Sequence, residues 1–143
     1  MKVLMLNGSC NPKGCTYTAL TEVGKTLTSA GIDYEIVQLG GGPVRDCIGC
    51  NQCSKNGCVF TDGGVNDFIA KARQADGFVF GTPVYYAHPS GRVLSFLDRV
   101  FYAGGSAFAG KPGAAVASAR RAGTTASLDA LGGEYHTPEG TSV

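Results

Sequence analysis

Several features that define whole classes of protein are missing from this chain of 143 residues. It has no run of basic or acidic residues and a net charge of only +1, which gives little support for binding nucleic acid by electrostatics. No apolar stretch approaches the roughly 20 residues that a membrane-spanning helix needs. The N-terminus has no apolar run long enough for a signal peptide before Asn7 and Gly8. These absences predict a cytoplasmic protein without nucleic-acid or membrane partners.

The residues that are present describe an ordinary globular protein. Hydrophobic residues make up 43% of the chain and charged residues 16%. The 22 glycines and the lack of tryptophan indicate an architecture of small residues and functional loops. We expect a single domain over residues 1–143, with a cysteine-rich insertion at about 40–64.

Short apolar runs alternate with amphipathic segments along the chain. The apolar runs predict buried strands, and the amphipathic segments predict helices. Strands are predicted at 2–7, 33–39, 77–81 and 113–119, and helices at 16–30, 65–74, 90–102 and from 124 to 131. This alternation is typical of an α/β fold with a parallel sheet covered by helices on both faces. Ligands of such sheets bind beyond the carboxyl ends of the strands.

The loop after the first strand, GSCNPKGCT, leads into a helix. A helix N-terminus favours a phosphate, and Ser9, Asn11 and Thr16 add hydroxyl and amide groups. The loop matches neither the nucleoside-triphosphate nor the dinucleotide fingerprint. With Lys13 nearby, it suits a phosphate monoester. The alternative is that Ser9 and Thr16 only turn the chain and cap the helix.

The loop after the third strand, TPVYYAHPSG, carries two large aromatic rings. Pro83 fixes the chain, and Tyr85 and Tyr86 suit packing against a flat ring system. The alternative is ordinary aromatic packing beneath the loop.

The loop after the fourth strand, SARRAGT, combines positive charge with a glycine. Arg120 and Arg121 supply the charge, with a solvated surface pair as the alternative, and Gly123 permits close backbone approach. At the ends of strands one, three and four, the three loops describe a pocket for a phosphate monoester attached to a planar heterocycle. Flavin mononucleotide (FMN) fits this description.

The motifs NGS…GCT, CIGCNQC…GC, GTPVYY…SG and ARRAGT occur in this order between about residues 2 and 131. Together they resemble the NADPH-dependent FMN reductase family, and most closely its iron–sulfur flavoprotein branch. The resemblance implies a flavodoxin-like doubly wound parallel sheet. It also implies a homodimer or homotetramer with the flavin near a subunit boundary.

The resemblance further implies which residues contact FMN. The phosphate would be surrounded by Ser9, Asn11, Cys15, Thr16 and Tyr17, and the isoalloxazine and ribityl chain lined by Thr82, Pro83, Val84, Tyr85 and Tyr86. The pyrimidine edge would be approached by Ser118, Arg120, Arg121 and Gly123. Cys10 and Asn11 replace the family's usual proline and basic residue, so the phosphate is expected to bind less tightly or to rely more on backbone amides. We expect Cys10 to fill space.

The end of the chain departs from the family, whose members continue with a fifth strand and a last helix. Residues 132–143, GGEYHTPEGTSV, contain almost nothing that would fill a central strand. Either the chain is shortened or edited, or the sheet has four strands. A missing strand would expose a sheet edge and part of the core.

Four cysteines lie within twelve residues, at C-x2-C-x2-C-x4-C spacing: Cys47, Cys50, Cys53 and Cys58. A reducing compartment argues against disulfides, and three cysteines at two-residue intervals match structural zinc sites poorly. The compact spacing suits a 4Fe–4S cluster, although the bacterial ferredoxin run differs in its last interval and in the proline that follows it. Free or oxidised thiols are the main alternative.

We therefore expect an FMN-dependent oxidoreductase that passes electrons from NAD(P)H or a reduced, ferredoxin-like carrier through FMN to an acceptor. The chemistry would belong to the flavin, and no side chain is identified as a proton-transfer catalyst. One alternative is an iron–sulfur flavoprotein that carries electrons between proteins. Another is a non-catalytic FMN-binding redox module.

Overall fold

A computed structural model describes residues 1–53 and 57–135, and its framework is a mainly parallel β-sheet. The strands are β1 (Lys2–Asn7), β2 (Asp33–Gln38), β3 (Gly77–Tyr85), β4 (His88–Pro89) and β5 (Gly113–Ser118). The parallel strands follow the order β2-β1-β3-β5, and β4 pairs antiparallel with the end of β3. The predicted parallel α/β sheet is confirmed.

Helices cover both faces of this sheet. They are α1 (Cys15–Ser29), α2 (Val65–Ala72), α3 (Gly91–Gly104) and α4 (Thr124–Tyr135), with short 3-10 turns at Asp62–Gly64 and Gly105–Ala107. Successive residues of a strand point to opposite faces, so β1 contributes to two hydrophobic layers. Leu4 and Leu6 pack with residues of α2, α3 and α4, and Met5 packs with Leu20 of α1.

Strand β3 is longer than the sequence predicted. We predicted that it would end at Gly81, but it continues through Thr82, Pro83 and Val84 to Tyr85. These added residues pair with β5 as far as Pro83 and then with β4. Most of the predicted loop is therefore a strand extension and a tight hairpin.

Helix α4 begins at Thr124, as predicted, and continues past Leu131. It reaches Tyr135, which is buried and contacts the rings of Phe78, Phe80, Phe101 and Phe108. The C-terminal residues thus do contribute to the core, through a helix rather than a strand. Residues 136–143 of this segment lie outside the described part of the chain.

The strand order places a crevice at the carboxyl end of β1. Strand β2 lies on one side of β1, and β3 lies on the other side, so the direction in which strands are added to the sheet reverses at β1. Ligands of such sheets bind at the point of reversal. The end of β1, Asn7, is level with Gln38 of β2 and Gly81 of β3. The loops after β1, β3 and β5 meet at this edge.

Within the described residues, no helix combines the length and the apolar character needed to cross a membrane.

Candidate functional site

The loop after β1 is fixed to the sheet by one partly buried side-chain network. The Asn7 carboxamide accepts a hydrogen bond from the Ser9 amide (3.2 Å) and donates one to Gln38 (2.6 Å). Gln38 in turn donates to the Ser9 carbonyl (2.5 Å), and the Gly8 amide donates to Gly81 (2.8 Å). Both backbone groups of Ser9 are therefore held by side chains of neighbouring strands. Sequence reasoning missed Asn7 and Gln38.

The same loop then turns through two side chains into α1. The Ser9 hydroxyl accepts a hydrogen bond from the Asn11 amide (3.1 Å), and the Asn11 side chain accepts one from the Lys13 amide (3.1 Å). At the helix start, Gly14 occupies the N-cap position without a side-chain capping bond. The backbone amides of the first turn therefore receive no hydrogen bond from a capping side chain. The helix dipole favours an anion at this end of α1.

Three of the predicted phosphate-site residues follow directly in the first turn of α1. Cys15 is exposed and Tyr17 is half-buried, whereas Thr16 is buried. The Thr16 hydroxyl lies 2.7 Å from the hydroxyl of Ser118 at the end of β5. This contact joins the first loop to the third, as their positions in the sheet predicted.

The end of β3 forms a hairpin that presents tyrosines to solvent. Tyr86 and Ala87 form the two-residue turn with φ angles of 50° and 64°. Such angles are unusual for residues with a side chain and match the twist of a two-residue hairpin. Tyr86 is fully exposed, and Tyr85 is 53% exposed. Beneath the hairpin, Thr82 is buried and accepts a hydrogen bond from the Ser90 amide (3.1 Å).

The turn of this hairpin contacts the loop after β5. Gly123 has a φ of +100°, and a side chain there would collide with the backbone of Ala87. Between the two loops is an open cleft of about 330 Å³, whose lining includes Val84, Tyr86, Ala87, Arg120, Arg121 and Ala122. The structure therefore brings the predicted tyrosine and arginine residues together.

Cys10 differs from its prediction. We expected it to fill space, but it is exposed, and its sulfur lies 3.9 Å from the hydroxyl of Tyr85. Burial, followed by this hydrogen bond, raises the pKa of Tyr85. Cys10 therefore belongs to the surface of the crevice.

The four clustered cysteines line a second cavity, of about 240 Å³. Cys58 is buried, Cys47 and Cys50 are half-buried and Cys53 is exposed, and all are free thiols. Burial raises the pKa of Cys53, and the charges of Cys58, Cys50 and Cys47 raise it further. The sequence predicted that these cysteines act together.

Two polar residues that sequence reasoning missed hold the cysteine segment. The Asn66 side chain accepts a hydrogen bond from the Cys58 amide (2.8 Å) and donates one to the Cys58 carbonyl (2.9 Å). Arg99 of α3 is 1% exposed and lines the cysteine cavity. Its position beside Phe96 and Val100 on the buried face of α3 was the available sequence signal.

The donor chemistry of both cavities can be compared with the expected cofactors. Across residues 1–53 and 57–135, no three His, Cys, Asp or Glu side chains converge closely enough to hold a metal ion. The second cavity nevertheless has four thiols, and iron–sulfur clusters are ligated by cysteine thiolates. The crevice has uncapped helix amides, hydroxyls and arginines, which suit a phosphate and an anionic ring. By donor chemistry the crevice suits FMN and the second cavity suits a cluster, but among the described residues the four thiols are not gathered around one metal position.

The sheet order and the position of the crevice define a flavodoxin-like α/β protein. Solved structures of this class superpose well: a flavone reductase has a TM-score of 0.76 at 18% identity and covers 100% of this chain and 52% of its own. A flavodoxin from the domain Archaea has a TM-score of 0.69 at 15% identity, over 100% of this chain and 78% of its own.

Within this class, the sequence model of NADPH-dependent FMN reductases matches residues 1–134, so the chain belongs to that family. An iron–sulfur flavoprotein of Methanocaldococcus jannaschii is 34% identical over 100 residues, which are 69% of this chain and 51% of the relative. One from Archaeoglobus fulgidus is 32% identical over 99 residues, or 69% of this chain and 48% of the relative. The chain thus spans about half the length of these curated relatives.

Proposed function

We propose that this chain is an FMN-dependent oxidoreductase. Electrons from NAD(P)H or a reduced carrier protein would pass through bound FMN to an acceptor. The observation that carries the proposal is the meeting of the three loops after β1, β3 and β5 at the switch point of a flavodoxin-like sheet. Membership of the NADPH-dependent FMN reductase family supports the same choice of cofactor and donor.

The phosphate of FMN would bind at the first loop. Uncapped amides at the start of α1 would donate to its oxygens, together with hydroxyls of this loop. The residues assigned to this part of the site are Ser9, Asn11, Cys15, Thr16 and Tyr17. The network of Asn7 and Gln38 would keep the loop in place before the phosphate arrives.

The ring system would lie against the hairpin and the third loop. We assign its lining and that of the ribityl chain to Thr82, Pro83, Val84, Tyr85, Tyr86, Ser118, Arg120, Arg121 and Gly123. The support is the cleft between Tyr86 and the two arginines, and the contact of Gly123 with the hairpin turn. When bound, FMN supplies hydride and single-electron chemistry. Arg120 and Arg121 would stabilise negative charge on the ring, and the hairpin would orient it.

The cysteine cavity supports a 4Fe–4S cluster held by Cys47, Cys50, Cys53 and Cys58. Its support is the donor set: four free thiols around one cavity beside a buried arginine. The same cavity favours a second candidate function, that of an electron carrier between proteins. Free thiols without a cluster are the competing state of the site.

We further propose a cytoplasmic homodimer or homotetramer built from one domain of residues 1–143. Six free cysteines are in keeping with a reducing compartment. A fully exposed Tyr86 and a 53% exposed Tyr85 beside the cleft are apolar surface that a second subunit would cover.

An absorbance spectrum of anaerobically purified protein, followed by addition of NADPH and then dithionite, tests the function. Flavin bands bleached by NADPH are expected for the oxidoreductase. Broad sulfur-to-iron absorption with flavin bands bleached only by dithionite would select the electron carrier. Flavin bands that neither reductant bleaches would contradict both functions and leave a non-catalytic FMN-binding module.

A further inference from the structure

A nearly fully buried cation lies beside the cysteine cavity. Arg99 is 1% exposed, and it is the charged side chain among the residues found to line the cavity. A buried guanidinium is costly unless anions and hydrogen-bond acceptors surround it. The groups that contact Arg99 therefore indicate its role in the structure.

The hydrogen bonds of Arg99 reach the backbone on both sides of the cysteine segment. One terminal nitrogen donates to the carbonyl of Arg45, two residues before Cys47 (3.3 Å). The other donates to the carbonyls of Phe60 (2.8 Å) and Asp62 (3.2 Å), beyond Cys58. A single side chain of α3 thus joins the two ends of the loop that carries the sulfurs.

The charge of Arg99 is only partly balanced. Asp62 accepts a hydrogen bond from Arg99 (3.1 Å), but it also pairs with Arg45 at 3.6 Å and is itself 45% exposed. Two guanidinium groups therefore share one carboxylate. The Arg99 Nε is buried and has no hydrogen-bond partner among the described residues. Arg99 therefore shares its carboxylate partner and keeps one unpaired donor, and it lies in the wall of the cavity that the thiols line.

We infer that Arg99 positions the cysteine segment and supplies the positive charge that stabilises a reduced, anionic iron–sulfur cluster. This inference rests on the proposed cluster. Reduction adds negative charge to the cluster, so a fixed cation in the wall of the same cavity favours the reduced form. The charge of Arg99 would raise the reduction potential of the cluster. Its several hydrogen-bond donors would hold the two ends of the cysteine segment in place.

Two substitutions separate the effect of the positive charge of Arg99 from the effect of its multiple hydrogen-bond donors. Arg99→Met keeps much of the side-chain volume and removes both, whereas Arg99→Lys keeps the charge but cannot bond to both ends of the segment. Arg92→Gln is the matched control, because Arg92 lies on the same helix and bonds to the backbone of Gly40 and Gly41 without lining the cavity. Each protein is reconstituted anaerobically with iron and sulfide.

The measurement is a redox titration of the cluster, monitored by electron paramagnetic resonance, together with iron and sulfide content. For Arg99→Met we expect the ratio of reduced to oxidised cluster, at a fixed ambient potential, to fall about tenfold or more. Arg99→Lys should keep the wild-type potential but lose cluster faster on dilution. Arg92→Gln should match the wild type in both.

The outcomes distinguish the two proposals. If the wild type assembles a cluster and its potential is the same in Arg99→Met, the role of Arg99 is overturned while the cluster stands. If Arg99→Lys shifts the potential as much as Arg99→Met, charge is not the cause and the inference also fails. If the wild type binds no iron and sulfide, the proposed cluster fails first and the role of Arg99 fails with it.

Discussion

At the scale of single residues, the crevice depends on backbone geometry that few residues allow. Tyr86 and Ala87 adopt positive φ angles in the hairpin turn, and Gly123 approaches that turn with a φ of +100°. Conformations of this kind cost on the order of 1–3 kcal/mol each for residues with a side chain, and they cluster at functional sites. The contact between the two loops is thus a strained part of the fold at the place where the ring would bind.

Gly123→Ala tests this contact. The new methyl group would collide with the Ala87 backbone and would strain the left-handed conformation, so the two loops must separate. We expect affinity for FMN to fall about tenfold or more, as measured by quenching of flavin fluorescence.

Gly133→Ala is the matched control for this glycine substitution. Gly133 lies in α4 with open space around it. Alanine is more favourable than glycine in a helix by up to about 1 kcal/mol. Its affinity for FMN should equal that of the wild type. Equal affinity in Gly123→Ala would mean that the two loops do not need to touch.

Single residues also mark the limit of sequence reasoning. The cysteine spacing and the tyrosine pair stand out in the sequence because those residue types are chemically distinctive. Gln38, Asn66 and Arg99 do not, since their importance comes from partners 29, 8 and 39 residues away along the chain. Only the folded backbone brings those partners within hydrogen-bond distance.

At the scale of elements, one carboxylate ties two strands and a helix together. Glu35 of β2 pairs with Lys2 of β1 at 2.6 Å and also with Lys71 of α2. The hydrogen bond from Lys2, followed by that from Lys71, lowers the pKa of Glu35. The charged form of Glu35 is therefore stabilised by folding.

A pH-dependent contribution to stability follows from this pKa shift. It is present above the unfolded pKa of about 4.3 and is lost as the pH falls through the lower folded pKa. Glu35→Gln should lower the free energy of unfolding at neutral pH by up to about 1 kcal/mol, because the pairs are partly exposed. The difference from the wild type should shrink below about pH 4, as measured by urea unfolding.

Glu22→Gln is the control for this ion pair. Glu22 pairs with Lys25 within α1, where both side chains are more than half exposed, and its loss should change stability little. If the free energies of unfolding of the wild type and Glu35→Gln differ by the same amount at neutral and at acid pH, ionisation of Glu35 is not the cause of the difference.

Elements were predicted well where their sequence pattern was complete. The order and type of the four parallel strands and four helices follow from short apolar runs and amphipathic segments. The end of β3 was missed because Pro83 reads as a loop residue. In the structure Thr82 pairs with β5 and Val84 pairs with β4. A hairpin this short has almost no hydrophobic periodicity from which to predict it.

At the scale of the molecule, the described parallel sheet has a layered core and ends at β2 on one edge and at β5 on the other. Among the described strands, β5 pairs with β3 only, and α4 packs against it through Leu131 and Tyr135. The sequence could not predict this packing because Tyr135 lies in a segment rich in glycine and polar residues. The family match extends through residue 134 and so includes nearly all of α4.

The central claim is that the loops after β1, β3 and β5 together bind FMN. Calorimetric titration of the flavin-free protein with FMN, and with riboflavin as the analogue without phosphate, tests it most directly. We predict one FMN per chain and an affinity for FMN about tenfold or more above that for riboflavin, because charge-assisted hydrogen bonds at the start of α1 require the phosphate. No binding of FMN, or equal affinity for both flavins, would contradict this account of the site.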